Sequence, residues 1–489
     1  MAAFLPHPCL QNVFNHLSQD SKTLYSCALV NTHWCISTIP ELWRDPFKSC
    51  IKLREPFRLT PLVNTYVSFL SPEILKSLRI SPKIKQPTFF NYPVYLRNIN
   101  LNSIHGGVEH WCDSISSRDT EQVLVELEKI TQLCKALCEY FLYHASRIDH
   151  FDIEYADWFN IFDLEKPIKS LSQIKSFGFN NEYFPNQFKT LTSITNSIQD
   201  LSISLKDFRI KYKIIEDIIT LIKAQNRLSN IKICIPFTNL SQSLWDNLVS
   251  SRHVNSIQSI EFSEIVFDPD NTSLLLELSK FRNLRHLRIY KCRNFDGDVQ
   301  KVTDPSAFSN LRKIFVYKIG VKPEVLHLLL EKSGNNLTEI ELQDHIIDGF
   351  DDIANWCGAY CKNLRKFVAS IQKHQIDSII KLLRGCRNLE YFHIYDGKLI
   401  FENEDDPWPA YSPPELELFQ ASGFLEEFGK NVPKTLRVIK IWMNWLITLE
   451  GFERFVGNCV SNALKLKVME FRHCVGFRNS HKDVIKKYL

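Results

Sequence analysis

The side chains best suited to chemistry here are histidine and cysteine, and their spacing leaves them little to do. His105-Gly106-Gly107 followed by His110 offers two imidazoles with no carboxylate or thiol at ligand spacing, so the glycine pair reads as a turn. His144 and His150 lie near Asp149, Asp152 and Glu154, but the group straddles a helix end and a strand, and a solvated surface accounts for it. The pairs Cys134/Cys138 and Cys357/Cys361 can each share a helical face. No C-x-x-C occurs among the 14 cysteines, so buried free thiols acting as small apolar residues explain them. The G-x-S-x-G, H-E-x-x-H, G-x-G-x-x-G and P-loop patterns are absent, and 15 glycines leave little material for phosphate-cradling loops. No catalytic residue, cofactor or metal is therefore expected, and the chain reads as a non-enzyme.

A chain of 489 residues is longer than one compact core usually grows, so several domains or a repeat array must position whatever the protein uses. Its 59 basic and 55 acidic residues leave a net charge of only +4, which argues against a nucleic-acid or membrane-surface binder. The amino terminus has no basic region followed by a long apolar stretch, and no 18 apolar residues run uninterrupted. Neither a signal peptide nor a bilayer span is expected, and the free thiols point to the cytoplasm or nucleus.

The first elements are short. Leu10, Val13, Phe14 and Leu17 recur at the spacing of one helical stripe, with Pro6 and Pro8 just ahead of it. Ser21 is placed to cap a second helix carrying Leu24, Cys27, Ala28, Leu29 and Val30. A third presents Trp34, and Ile39, Leu42 and Trp43 close the unit. Three helices in fewer than about 50 residues bury too little surface to stand alone, so a partner is expected. The series Leu5-Pro6, Leu10, Val13-Phe14, Cys27-Ala28-Leu29-Val30, Trp34 and Leu42-Trp43 resembles the F-box motif, in the form found in large fungal F-box families. The resemblance implies that Leu5, Pro6, Leu10, Val13, Leu29 and Val30 lie at or near the groove for the Skp adaptor, with Trp34 and Trp43 in the F-box core. Proline at position 8 departs from the acidic residue usual there, which bears on adaptor affinity rather than on the fold.

Residues 48–110 carry Pro56, Pro61, Pro72, Pro82, Pro87 and Pro93 and read as extended, turn-broken chain, with a short helix over Pro72–Leu78. Phe89, Phe90, Tyr92 and Tyr95 are expected to pack it down. Asp119, with Gln122 three residues on, looks like the cap of a helix running to about Ala145 through Val123, Leu127, Ile130, Leu133, Leu137 and Phe141.

From residue 148 an apolar triplet of form φ-x-x-φ-x-φ returns about every 27 residues, twelve times, from Ile148/Phe151/Ile153 to Leu466/Met469/Phe471. Helix-like stretches such as Ile214–Lys223, Ser273–Phe281, Pro323–Lys332 and Gln375–Leu383 fill the intervals. Asn283, Asn310, Asn336, Asn363 and Asn388 each precede the first apolar position. Strand plus helix at this period resembles the cysteine-containing leucine-rich repeats that follow F-boxes in many ligase receptors. Cys292 and Cys474 stand where those repeats place Asn or Cys, but most units have neither there, so irregular units are expected.

The fold class implied is α/β: a three-helix F-box at 1–47, a connecting region at 48–118, and an irregular leucine-rich-repeat solenoid at 119–489, with parallel strands on the concave face and helices on the convex one. Twelve strands about 4.8 Å apart make an inner face roughly 50–60 Å long. Residues between the apolar positions face it: His286, Arg288 and Tyr290; Lys313, Phe315 and Tyr317; Glu339, Glu341 and Gln343; Tyr391, His393 and Tyr395; Lys440 and Trp442. From these, Arg288, Tyr290, Phe315, Tyr317, Glu341, His393, Tyr395 and Trp442 are the expected contacts for a target protein. The acidic, proline-flanked run FENEDDPWPAYSPPELE at 401–417 falls in the one long gap between triplets and reads as a loop. The function implied by resemblance is that of a substrate-recognition subunit of a Skp–cullin–F-box (SCF-type) ubiquitin ligase, reaching cullin through the Skp adaptor. The alternative is a repeat scaffold that no longer engages the ligase. Neither nucleic acid nor membrane is expected as a partner.

Overall fold

The computed structural model describes residues 5–48, 59–80, 88–115, 123–154, 169–180, 187–205, 212–235, 247–249, 252–267, 274–317, 321–343, 349–372, 375–396, 419–463 and 465–488. The capping pair Asp119/Gln122 and the 401–417 run lie outside them. The chain divides into two compact units, Met1–Leu228 and Ser229–Leu489.

The first unit opens with α1 (His7–His16), α2 (Ser21–Ala28) and α3 (Thr32–Leu42). Pro8 sits in the first turn of α1, where its missing N–H costs nothing. The cap of α2 is Asp20, not Ser21: its carboxylate accepts from the Thr23 amide at 3.1 Å and the Thr23 hydroxyl at 2.6 Å. Asn31 caps α3 by accepting from Trp34 N at 2.8 Å. Leu10, Phe14 and Leu24 form the centre of this small core, with Leu17, Cys27, Trp34 and Leu42 packed around it.

The connecting region is far more ordered than its prolines suggest. It holds α4 (Leu59–Val67), α5 (Pro72–Ser77), strand β1 (Asn98–Asn100) and α6 (Leu101–Ile115). His105, Gly106, Gly107 and His110 lie within α6 rather than in a turn. A Cβ on Gly107 would stand 3.2 Å from the Phe47 ring, so this glycine allows close helix packing. Tyr92 and Phe90 pack inward, whereas Phe89 is 82% exposed. Next come α7 (Val123–His144), β2 (His150–Glu154), β3 (Ser176–Asn180), α8 (Gln187–Ile194), β4 (Asp200–Ser204) and α9 (Tyr212–Ala224). Strands β1 to β4 pair in chain order, all parallel.

The second unit alternates strand and helix: β5 (Asn230–Cys234), β6 (Ser259–Ser263), α10 (Leu274–Ser279), β7 (His286–Tyr290), β8 (Lys313–Tyr317), α11 (Pro323–Ser333), β9 (Glu339–Gln343), α12 (Phe350–Tyr360), β10 (Lys366–Ile371), α13 (Ile376–Gly385) and β11 (Tyr391–Asp396). It continues as β12 (Phe419–Gln420), α14 (Ser422–Asn431), β13 (Val438–Trp442), β14 (Trp445–Leu446), α15 (Leu449–Asn462), β15 (Val468–Arg472) and α16 (Asn479–Tyr488). Strands β5 to β11, then β13 and β15, pair parallel with their chain neighbours. Strands β12 and β14 form a separate short pair.

In all twelve triplets the second and third apolar residues fall on a strand and are buried, while the first stands two residues ahead of it. The asparagines that precede five of the triplets form a ladder. Asn283, Asn310, Asn336, Asn363 and Asn388 donate their side-chain amides to the carbonyls of Asn255, Arg282, Ser309, Asn335 and Lys362 in the preceding repeat, at 2.7 to 3.0 Å. Thr435 does the same to Arg387 at 3.1 Å. Each rung satisfies a turn carbonyl of the preceding repeat, which pins the phase of successive repeats.

Candidate protein-binding surfaces

Because side chains alternate along a strand, burial of Leu287 and Ile289 turns His286, Arg288 and Tyr290 to the opposite face, and the pattern repeats through the second unit. The registers bring four of the expected residues together. Arg288 pairs with Phe315 and Tyr290 with Tyr317 across β7 and β8. The Arg288 guanidinium lies 4.7 Å over the Phe315 ring, and the tyrosine rings stack at 4.6 Å and 6°. Burial and the neighbouring Tyr290 push the Tyr317 phenol up, so Tyr317 stays neutral. Glu341 pairs with Phe315 from β9 and accepts from Lys366 at 2.7 Å.

A second group forms on β11, β13 and β15. His393 meets the Trp442 ring edge to face at 4.5 Å, and Arg472 covers the same ring at 4.5 Å. Glu470 holds both Lys440, at 2.9 Å, and Arg472. Tyr395 is only 2% exposed and His393 9%, so these two form the floor of the group and not its contact surface. Lys366, Glu470 and Arg472 were not singled out from sequence, although each occupies the same alternate positions as the residues that were.

On the first three helices the apolar residues divide. Leu10 is 1% exposed and belongs to the core, a correction to its expected place at a groove. Leu5, Pro6, Val13, Leu29 and Val30 are exposed, Leu29 by 69%. His33, three residues after Val30, donates through Nε2 to the Leu5 carbonyl at 2.9 Å and so ties the Leu5-Pro6 segment to the start of α3. Tyr25 and Ile36 add further exposed apolar surface; Tyr25 stands four residues before Leu29, a helical spacing that signals a shared face. Residues 2–49 match the F-box-like family. This segment is an F-box-like domain. No curated protein matches the chain.

Within the F-box-like domain Trp34 lies in the core as expected, edge to face with Phe14 at 5.6 Å. Trp43 does not. It leaves the three-helix core to stack on Tyr92 at 3.7 Å and to meet Tyr66 edge-on at 5.5 Å.

The residues first weighed for chemistry are dispersed. His144 stacks on Tyr140 at 3.8 Å, while His150 sits on β2, where burial lowers its affinity for a proton. Asp149 is taken up by Arg147 at 3.0 Å. Cys134, Cys138, Cys357 and Cys361 are buried free thiols, as read from sequence. Burial pushes Cys138 well above the ordinary thiol range, and Cys292 and Cys474 up to about 12. Among the described residues no group of three or more His, Cys, Asp or Glu is arranged to hold a metal ion, and no helix is long and apolar enough to cross a membrane.

Proposed function

We propose that this protein is a substrate-recognition subunit of an SCF-type ubiquitin ligase: a non-catalytic receptor in the cytoplasm or nucleus. The F-box-like domain binds the Skp adaptor through Leu5, Pro6, Val13, Leu29 and Val30, and reaches cullin through it. The strand–helix units form a leucine-rich-repeat solenoid of the kind that follows fungal-type F-boxes. A target protein is held on the strand face around Arg288, Tyr290, Phe315, Tyr317, Glu341 and Trp442, which raises its effective concentration near the ubiquitin-loaded enzyme. The observation that carries this reading is the F-box-like match over residues 2–49, whose α2 ends on an exposed Leu29-Val30 pair. Exposed apolar residues beside a core too small to absorb them are what a docking helix unit presents to its partner. The aromatic residues interleaved with Arg288, Lys366 and Arg472 on the strand face suit a protein surface.

The test is retention of purified Skp adaptor and cullin by the full chain, beside a Leu29→Ala/Val30→Ala variant. Wild type should hold both and the variant neither, with unchanged circular dichroism. A folded wild type that retains neither protein sinks the ligase reading and leaves a repeat scaffold.

A further inference from the structure

The strands of the first unit enter the sheet through one recurring backbone device. The residue after the first apolar position of each triplet offers its carbonyl to two successive amides of the next strand. The Lys175 carbonyl accepts from Gln199 at 2.7 Å and Asp200 at 3.0 Å; Asp149 accepts from Lys175 at 2.8 Å and Ser176 at 3.0 Å; Arg97 accepts from Asp149 at 2.7 Å and His150 at 3.1 Å. The series does not stop at β1. The Arg44 carbonyl accepts from Arg97 at 3.0 Å and Asn98 at 3.2 Å, in the same two-amide pattern. Trp43, immediately before Arg44, takes the place that Leu96, Ile148 and Ile174 hold in their own units.

Side chains reinforce the match. Asp45 accepts from the Asn98 side chain at 2.9 Å, as Asp152 accepts from Asn100 at 3.0 Å one strand on. The Arg44 guanidinium spans Glu41 of α3 at 3.6 Å and the buried Asp149, just ahead of β2, at 3.5 Å. Trp43 stacks on Tyr92, and Phe47 stacks on Tyr66 at 5.7 Å and reaches Phe141 of α7 at 6.5 Å. None of Trp43, Arg44 or Phe47 takes part in the Leu10/Phe14/Leu24 core.

We propose that residues 43–47 are a truncated first repeat, and that through them the F-box-like helices serve as the amino-terminal cap of β1–β4 in fixed orientation. An end repeat left bare exposes unpaired strand amides and an apolar face, and a stacked array needs a cap against both. Arg44 covers the amides, while Trp43 and Phe47 cover the apolar face. Trp43 and Arg44 are then positioning residues: they set the direction in which Leu29 and Val30 point relative to the strand face of the same unit. This role stands whether or not the helices bind an adaptor.

The experiment uses the full chain with nitroxide-bearing unnatural residues at exposed Gln19 and Lys189, because 14 cysteines rule out thiol labelling. Dipolar spectroscopy should give one narrow distance distribution, and a Trp43→Ala/Arg44→Ala variant should broaden it while circular dichroism stays native. A broad distribution in wild type, or an unchanged one in the folded variant, overturns the proposal. Hydrogen exchange in the wild type decides the matter even where the variant fails to fold. The Arg97 and Asn98 amides should be protected like that of His150, and exchange at the rate of a free strand edge overturns the cap. Adaptor retention measured on the same samples reads the ligase proposal separately. A narrow distribution without retention sinks that proposal alone.

Discussion

His393 and Trp442 sit edge to face with ring centres 4.5 Å apart, and burial, together with Lys440, holds the imidazole down to about 4. An unfolded histidine takes its proton near pH 6.5, so between pH 6.5 and 4 the unfolded chain binds more protons than the folded one. Stability from this group is complete above pH 6.5 and is lost as pH falls toward 4, by about 2 kcal/mol at pH 5. Thermal unfolding at pH 7.5 and pH 5 should show a smaller acid loss in His393→Gln than in wild type. Equal losses in the two proteins reject the assignment.

Helices α12 and α13 touch through glycine. A Cβ on Gly385 would fall on the backbone of Gly358, with no flexible side chain to give way. Gly385→Ala should destabilise the chain by about 1–3 kcal/mol through overpacking. Gly457, inside α15, has nothing within 4 Å of its added Cβ, so Gly457→Ala should stabilise by about 0.5–1 kcal/mol. Urea denaturation of both variants gives the two signs directly.

The asparagine ladder depends on donation. Asn310 gives its amide to Arg282 at 2.8 Å. Its loss in Asn310→Ala should cost about 1 kcal/mol, and Asn310→Asp, which can only accept, should fare no better. Recovery of full stability by the aspartate in chemical denaturation excludes the ladder as a stabilising element.

Leu10 and Leu29 separate folding from the proposed adaptor recognition. Leu10→Ala leaves a cavity among Phe14 and Leu24 and should lower stability of the F-box-like domain by about 2–5 kcal/mol. Leu29→Ala removes an exposed side chain and should leave the melting curve in place while weakening adaptor retention. A melting loss as large as that of Leu10→Ala places Leu29 in a core that the present packing denies it.

Thiol reactivity follows burial. With Ellman's reagent at pH 8 and mass mapping, exposed Cys9 should react first among the thiols of the described residues. Cys138 and Cys459, driven well above the thiol range by burial, should react only as the chain opens. Fast native modification of either contradicts the packing.

The sequence alone determined every element in which a local pattern and burial coincide. The apolar triplets mark twelve strands because period-two alternation survives in any context that buries one face, and the asparagine ahead of five of them marks the register because it recurs at the repeat period, although its hydrogen bond reaches into the preceding repeat. The same alternation picked out Arg288, Tyr290, Phe315 and Tyr317. It could not foresee that Tyr395 and His393 are buried, since what lies over a strand is not written in the strand. Leu96/Ile99/Leu101 carries the same triplet across β1, but the prolines around it made the segment read as extended, turn-broken chain. Only tertiary structure decided that Leu10 faces inward while Val13 on the same stripe faces solvent, because a three-helix unit has room for few side chains in its core. It also decided that Trp43 serves the first strands rather than the F-box-like core. Gly107 looks like a turn until Phe47 is seen against it: close packing between segments distant in sequence is a property of the fold, and no local spacing records it.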